Sequence, residues 1–436
     1  MKTQVPRTRR KRGARYLTQA ACLICFLPLL LGYSSFRKLW YFGDDWDQLS
    51  EMANRGFLDW MLRPFAENFV PLYKLLWAGA LHVFDGSYFA LITLVWITHI
   101  LSLLLLARVL KRCEAPPAAI ICAVLTLGMP WSNIESLAWS TQWTGLLSSS
   151  AYLVAWLCLL RALDERSTVA RWAIPVYFLT LVAAPLFHSR GILNGLAIGG
   201  CLLVYRPFVR GLRSRWVLLC VGSLVAAATM SGVIYLLALR QAGTALHLGA
   251  TNQMAVFSLY YLALNPGFHI LLLPVQLLGW PTAALLGGLK AAIVARGFVV
   301  SSRKMRPFLL SVILLDLGYA MTLGFGRFHT GLGATVSSRY QYVSLFCFAP
   351  FLGMALEDLA RRIRQTRPRR AATAVVLTAW TLLLFWPWRR EMESWSRWRG
   401  SDIRQVVRFA PPETKVPFSL TTAGRARELT LLYNLD

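Results

Sequence analysis

Charge is sparse in this sequence, and negative charge is sparsest. Only 15% of its 436 residues are charged, and 20 Asp and Glu stand against 46 Lys and Arg, a formal net charge of +26. Soluble globular domains carry roughly 25% charged residues. That shortfall, with 56% hydrophobic residues and a mean hydropathy of +0.49, excludes a soluble domain and indicates a polytopic membrane protein. Internal repeats, long Gly/Ser linkers and low-complexity segments are also missing, so one membrane-embedded domain is the simplest division. A disulfide framework is missing too. Cys22, Cys25, Cys113, Cys122, Cys158, Cys201, Cys220 and Cys347 all lie in or beside apolar runs and read as small apolar residues. Cys22 and Cys25 have redox-motif spacing, but inside the first apolar run. No small-residue cleavage site follows that run, so it reads as a retained anchor.

What is abundant is positive charge, and its placement decides its meaning. Lys2, Arg7, Arg9, Arg10, Lys11, Arg12 and Arg15 precede the first apolar run, and Arg361, Arg362, Arg364, Arg367, Arg369 and Arg370 separate two later ones. Short basic loops beside spans are what the positive-inside rule predicts, and anionic membrane lipids add to the preference. No aromatic-studded soluble module accompanies the arginines, which argues against nucleic acid.

Apolar runs near the ~20-residue length of a spanning helix recur along the chain. Charge bias threads eleven of them, at about 17–36, 88–109, 116–130, 143–162, 172–187, 191–205, 216–238, 277–298, 307–323, 341–359 and 371–388. Arg166, Arg206 and Arg210 fall in loops of cytoplasmic parity, beside Arg161, Arg171, Arg213 and Arg215. Residues 72–84 are too short to cross and predict a helix lying at the interface, with Trp77 and His82 at headgroup level. The run broken by Asn265-Pro266-Gly267 predicts an interfacial or re-entrant element. The expected division is a transmembrane domain over 1–388, with an outer loop and interfacial helix at 41–87, and a short external tail at 389–436. This puts the protein in the cell membrane with the N-terminus cytoplasmic and the first loop and tail extracytoplasmic. The seventeen tryptophans read mostly as an interfacial belt.

Six of the scarce carboxylates sit in one stretch, residues 41–70: Asp44, Asp45, Asp47, Glu51, Asp59 and Glu67. Three other groups are threaded to the same face: Glu135, His188 with Arg190, and Arg327 to Arg339. Carboxylates on one side and cations on the other suit one reaction class. A carboxylate takes the proton from an attacking hydroxyl, while Arg and His hold a phosphate that departs as an anion. Asp44 and Asp45 are the candidate bases, with Asp44 slightly preferred; neighbouring side chains diverge, so they do not form a proton-sharing dyad. Glu135, His188, Arg190, Arg339, Tyr340 and Lys74 are candidate substrate contacts. A divalent metal at the paired aspartates is conceivable, but no third ligand stands out. Each residue also has a plainer reading. The aspartates can cap a helix in a solvated connector, and the cations and tyrosine can anchor at headgroup level. Asp316 falls in mid-span with no evident partner, either functional or a neutral core acid.

Four stretches carry a resemblance to the GT-C superfamily of polytopic glycosyltransferases, especially the transmembrane O-mannosyltransferases and their bacterial relatives. FGDDW resembles the acidic first-loop motif, and ENFVPLYKLLW the Pro-Leu start of the interfacial helix. IESLAW is similar to a Glu-x-x-Ala-Trp segment, and SSRYQYVSL to an Arg-Tyr motif opening a late span. Departures are Glu67-Asn68-Phe69-Val70 where relatives often have His and Arg, Ser344 for a proline, and Pro130 one residue farther from Glu135. The resemblance implies a GT-C-like all-α bundle, a polyprenyl-phosphate sugar donor, an acidic catalytic residue at Asp44 or Asp45, and lipid-phosphate contacts from Arg339. With no large soluble repeat domain, it points to a glycan or lipid acceptor in the cell envelope. Competing readings are a lipid or solute transporter, which places charges near the midplane of related halves, and a non-catalytic component of a polysaccharide-assembly complex.

Overall fold

The computed structural model describes residues 19–65, 68–164, 170–205, 213–239, 250–363 and 369–435. Outside the described residues lie Lys2, Arg7, Arg9, Arg10, Lys11, Arg12, Arg15, Glu67, Arg166, Arg206, Arg210, Arg364 and Arg367. Among the described residues the chain is helical, and two isolated β-bridges (Phe65 with Asn68, Lys415 with Thr422) stand in place of any strand.

The first apolar run ends in α1 (Leu27–Phe36). The first loop folds as α2 (Asp44–Ala53), α3 (Phe57–Leu62) and α4 (Pro71–Val83), the last opened by a proline whose missing N–H costs nothing at a helix start. Next come α5 (Tyr88–Arg112), α6 (Pro117–Gly128), α7 (Ile134–Ala138), α8 (Trp143–Ala162), α9 (Ala170–Phe187), α10 (Ile192–Val204) and α11 (Arg213–Ile234). The remainder is α12 (Thr251–Leu264), α13 (Gly267–Ile270), α14 (Trp280–Val300), α15 (Arg306–Arg327), α16 (Gln341–Ile363), α17 (Arg369–Ser396), α18 (Ile403–Phe409) and α19 (Ala423–Leu432).

A helix stands at each of the eleven positions threaded as spans, yet the count of eleven does not follow. Among the described residues, seven helices are long and apolar enough to cross a membrane, or eight if the α6–α7 pair, bent by 51°, is one broken span. Pro130 lies at that bend, itself extended at φ −67° and ψ 135° and without an N–H to continue the helix. Helices α9 and α10 are shorter apolar elements, and α17 is absent from the seven. The protein is a polytopic helical membrane protein.

Two ends of the bundle differ. At the far end, the α5–α6 and α14–α15 turns meet: Ser302 Oγ donates to the Cys113 carbonyl at 3.0 Å, and Lys304 pairs with Glu114 at 2.6 Å. Arg296 and Arg362 share Asp358 there. At the opposite end gather the first loop, α7, the turn at 188–191, the segment 328–340 and everything after α17. The boundary set at 388 falls inside α17, and the tail packs on the first loop. Asp47 Oδ1 accepts from Ser419 Oγ (2.6 Å), Leu420 N–H (3.0 Å) and Thr421 Oγ1 (3.0 Å), while Arg425 reaches Asn54 at 2.7 Å. Val416, Leu429 and Leu435 join the same hydrophobic core as the spans. The tryptophan belt also needs correcting, since ten of the seventeen are buried inside the protein, among them Trp40, Trp46, Trp60, Trp77, Trp96 and Trp388.

Candidate active site

The two neighbouring aspartates open α2, where carboxylates gain from the helix dipole. Gly43 precedes them at φ +53°, a region other residues rarely adopt, and a Cβ there would lie 3.1 Å from Trp139 and 3.2 Å from the Phe418 carbonyl. This turn aims successive side chains about 100° apart around the helix. Asp45 points inward, is fully buried, and accepts from Ser140 Oγ (2.5 Å), Thr141 Oγ1 (2.9 Å), Phe42 N–H (3.1 Å) and Tyr88 OH (3.4 Å). Both oxygens are therefore occupied in fixing the start of α2 against the α7–α8 turn. Asp44 instead lines a cavity of about 160 Å³.

The same cavity is rich in cations. Arg190, Arg327 and Arg339 line it together with His188 and Tyr340. Arg190 is held by a hydrogen bond from Nη1 to Tyr319 OH (3.0 Å) and lies over that ring at 4.9 Å. The His188 Nδ1 accepts from the Arg190 N–H at 3.2 Å, so that nitrogen is unprotonated and Nε2 carries the hydrogen. Burial, with Arg190 and Arg327 nearby, pushes His188 down to about 3, so the ring is neutral at physiological pH. Arg339 is held by Nε to Ser337 Oγ at 3.2 Å and lies over Tyr340.

Burial, followed by Asp45 and Asp47, raises Asp44 from 3.8 to about 6, against the pull of Arg339 and Arg327. Asp45 is raised to about 6 as well, by burial and in spite of its Ser140, Phe42 and Thr141 donors. Asp44 is thus a carboxylate ionised at neutral pH but close to its titration, as proton acceptors tend to be. At about 160 Å³ the cavity is smaller than the ~300 Å³ of ordinary ligand pockets. It has room for a reacting group and not for a whole lipid-linked substrate.

Asp44, His188, Arg190, Arg339 and Tyr340 come together on this cavity; Asp45, Glu135 and Lys74 do not line it. Glu135 accepts a hydrogen bond from Ser338 and so secures the turn that carries Arg339. Lys74 is fully buried, and its Nζ donates to the Trp60 (2.8 Å) and Arg63 (2.9 Å) carbonyls at the end of α3. Burial lowers it to about 8, and its role in this arrangement is to cap a short helix. No group of three or more His, Cys, Asp and Glu arranged to hold a metal occurs among the described residues.

Sequence reasoning passed over Arg399. It is 1% exposed, with its guanidinium 3.4 Å from the Trp395 ring and 3.8 Å from Phe42, and 3.9 Å from Glu135. Burial drops it to about 9. The interleaved tryptophans and arginines of WSRWRG (395–400) were its one available signal. Ser140 and Thr141 carried none, since isolated hydroxyl residues form no motif.

No protein-family model matches the chain, and the search of curated proteins returns no match. Among solved structures, the Archaeoglobus fulgidus oligosaccharyltransferase, determined with a tethered acceptor peptide containing an NVT sequon, aligns with a TM-score of 0.50 at 13% identity. The match covers 94% of this chain and 60% of that one, so the chain spans about three fifths of that protein's length. This polytopic membrane protein shares its fold with that oligosaccharyltransferase, a GT-C fold member.

Proposed function

We propose that the protein is a glycosyltransferase that moves a sugar from a polyprenyl-phosphate carrier to the hydroxyl of an envelope glycan or lipid. The observation that carries this reading is the single cavity lined by Asp44 together with Arg190, Arg327 and Arg339. Asp44 accepts the proton of the acceptor hydroxyl as its oxygen bonds to the anomeric carbon. The bond from that carbon to the phosphate oxygen breaks, and its electron pair leaves with the phosphate, which departs as an anion. The arginines stabilise that charge, and the neutral His188 offers Nε2–H as a further donor. A phosphate leaving group needs no acid, so one base suffices. The carrier's prenyl chain remains outside the small cavity, in the bilayer. A divalent cation, if the reaction uses one, would meet Asp44 and the donor phosphate, since magnesium commonly takes one or two carboxylates plus substrate oxygens.

The same reading sets the orientation: N-terminus cytoplasmic, site end and tail extracytoplasmic in the cell membrane, with the Lys304 and Arg362 end facing the cytoplasm. Envelope glycans compared among a wild-type, a deletion and an Asp44→Asn strain test it. A sugar lost equally in the deletion and the Asp44→Asn strain, with the variant protein present in the membrane, is the expected outcome. Unchanged glycans in both would refute the reading.

A further inference from the structure

A second concavity lies at the site end and shares no lining residue with the Asp44 cavity. It has a volume of about 660 Å³ and runs between the end of α1 and the segment after α17. Arg37, Lys38, Arg397 and Arg404 line it, with Ser35 as an additional donor. Its carboxylate, Glu393, is already paired with Arg389 at 3.0 Å. Among the described residues Arg37, Lys38 and Arg397 make no ion pair and no side-chain hydrogen bond within the protein.

The two walls are pressed together by design of the backbone. A Cβ on Gly400 would lie 2.2 Å from the Lys38 carbonyl oxygen, so only glycine lets the 397–402 turn rest against residues 35–38. Arg404 is set over the Trp40 ring at 5.4 Å. Ser35 and Glu393 also line a smaller cavity of about 140 Å³ that continues along α1 and α17, first between Ser34 and Arg389 and then past Leu31, Phe385, Trp388 and Met392. Beside it, Leu30 and Trp386 are each 71% exposed, as expected of side chains that face lipid. The concavity thus joins a cationic mouth to a narrow groove whose outer edges, at Leu30, Leu31 and Trp386, are exposed apolar side chains.

We propose that this concavity binds the phosphate of an anionic phospholipid, with one acyl chain running down the groove between α1 and α17. Charge complementarity selects the headgroup: a zwitterionic lipid would bring its own cation into a mouth that already holds four. The groove selects a lipid over a free anion. In binding, the lipid joins α1 to the segment that carries the Arg399 cage.

The test uses the full-length protein purified in detergent, with thermal unfolding followed on addition of phosphatidylglycerol, phosphatidylcholine or inorganic phosphate. Phosphatidylglycerol raises the unfolding temperature, and the other two do not. Each cation near an anionic lipid contributes about a factor of five, so Arg37→Gln with Arg397→Gln weakens the phosphatidylglycerol response roughly thirtyfold in concentration. Arg408→Gln, an exposed charge outside the groove, leaves the response unchanged. If the double variant does not fold, Lys38→Gln alone is measured, with about a fivefold weakening expected. A response to inorganic phosphate as large as that to the lipid would make this a free-anion site and overturn the proposal. An equal response to phosphatidylcholine, or an undiminished one in the variants, would overturn it as well.

Discussion

Asp44 carries an energetic cost that its removal should reveal. Its pKa rises from 3.8 to about 6 on folding, chiefly by burial and then by the neighbouring Asp45 and Asp47. Between these two values the folded state binds more protons than the unfolded one, so stability falls as pH rises through this window and is flat above it. A shift of about two units corresponds to ~3 kcal/mol, and partial exposure of the side chain reduces this to ~1–3 kcal/mol. Asp44→Asn removes the charge while keeping the shape. The variant should unfold a few degrees above wild type at pH 7.5, and the gap should close at pH 4, where wild-type Asp44 is protonated. Intrinsic tryptophan fluorescence during heating of the detergent-solubilised protein measures both differences. A variant less stable than wild type at pH 7.5, or a gap unchanged at pH 4, would refute the claim that this carboxylate is held ionised against its surroundings.

Other expectations follow from the same geometry. Asp45→Asn replaces an acceptor of four donors by a group with one acceptor oxygen, costs ~2–4 kcal/mol, and lowers the amount of folded protein in the membrane. Lys74→Met leaves two carbonyls without a donor and destabilises α3 by ~1–3 kcal/mol, while transfer per folded molecule is retained; a specific loss of turnover would move Lys74 into the reaction. Arg339→Gln removes one charged phosphate contact and reduces kcat/KM for the lipid-linked donor by ~10–100-fold in a transfer assay. Wild-type transfer declines as pH falls through about 6, because the base must be ionised; a rate flat down to pH 4.5 would exclude Asp44 and Asp45 alike.

The gathering of Asp44, His188, Arg190 and Arg339 was legible because span parity sends loop residues to one end of the bundle or the other. Parity says nothing about which way a side chain turns within an end. Asp44 and Asp45 were separable only once Ser140 and Thr141, some ninety residues on, closed around one of them. Lys74 looked like a headgroup-level cation, and only the fold of α3 beneath α4 supplied the two carbonyls that hold it. Asp316 had no visible partner because Lys290, 2.6 Å away, sits on a neighbouring helix, and pairing across helices has no periodicity to read. The packing of the tail was not legible: Asp47 and the Arg399 cage bind it to the first loop, where polar residues satisfy one another instead of facing water.

The most direct measurement is sugar transfer by the purified protein from a polyprenyl-phosphate sugar to an acceptor hydroxyl, comparing wild type with Asp44→Asn at pH 7.5. Loss of the general base predicts a rate lower by ~10²–10⁴-fold, with the variant folded and its donor binding largely intact. Transfer at the wild-type rate by folded Asp44→Asn protein would contradict the account.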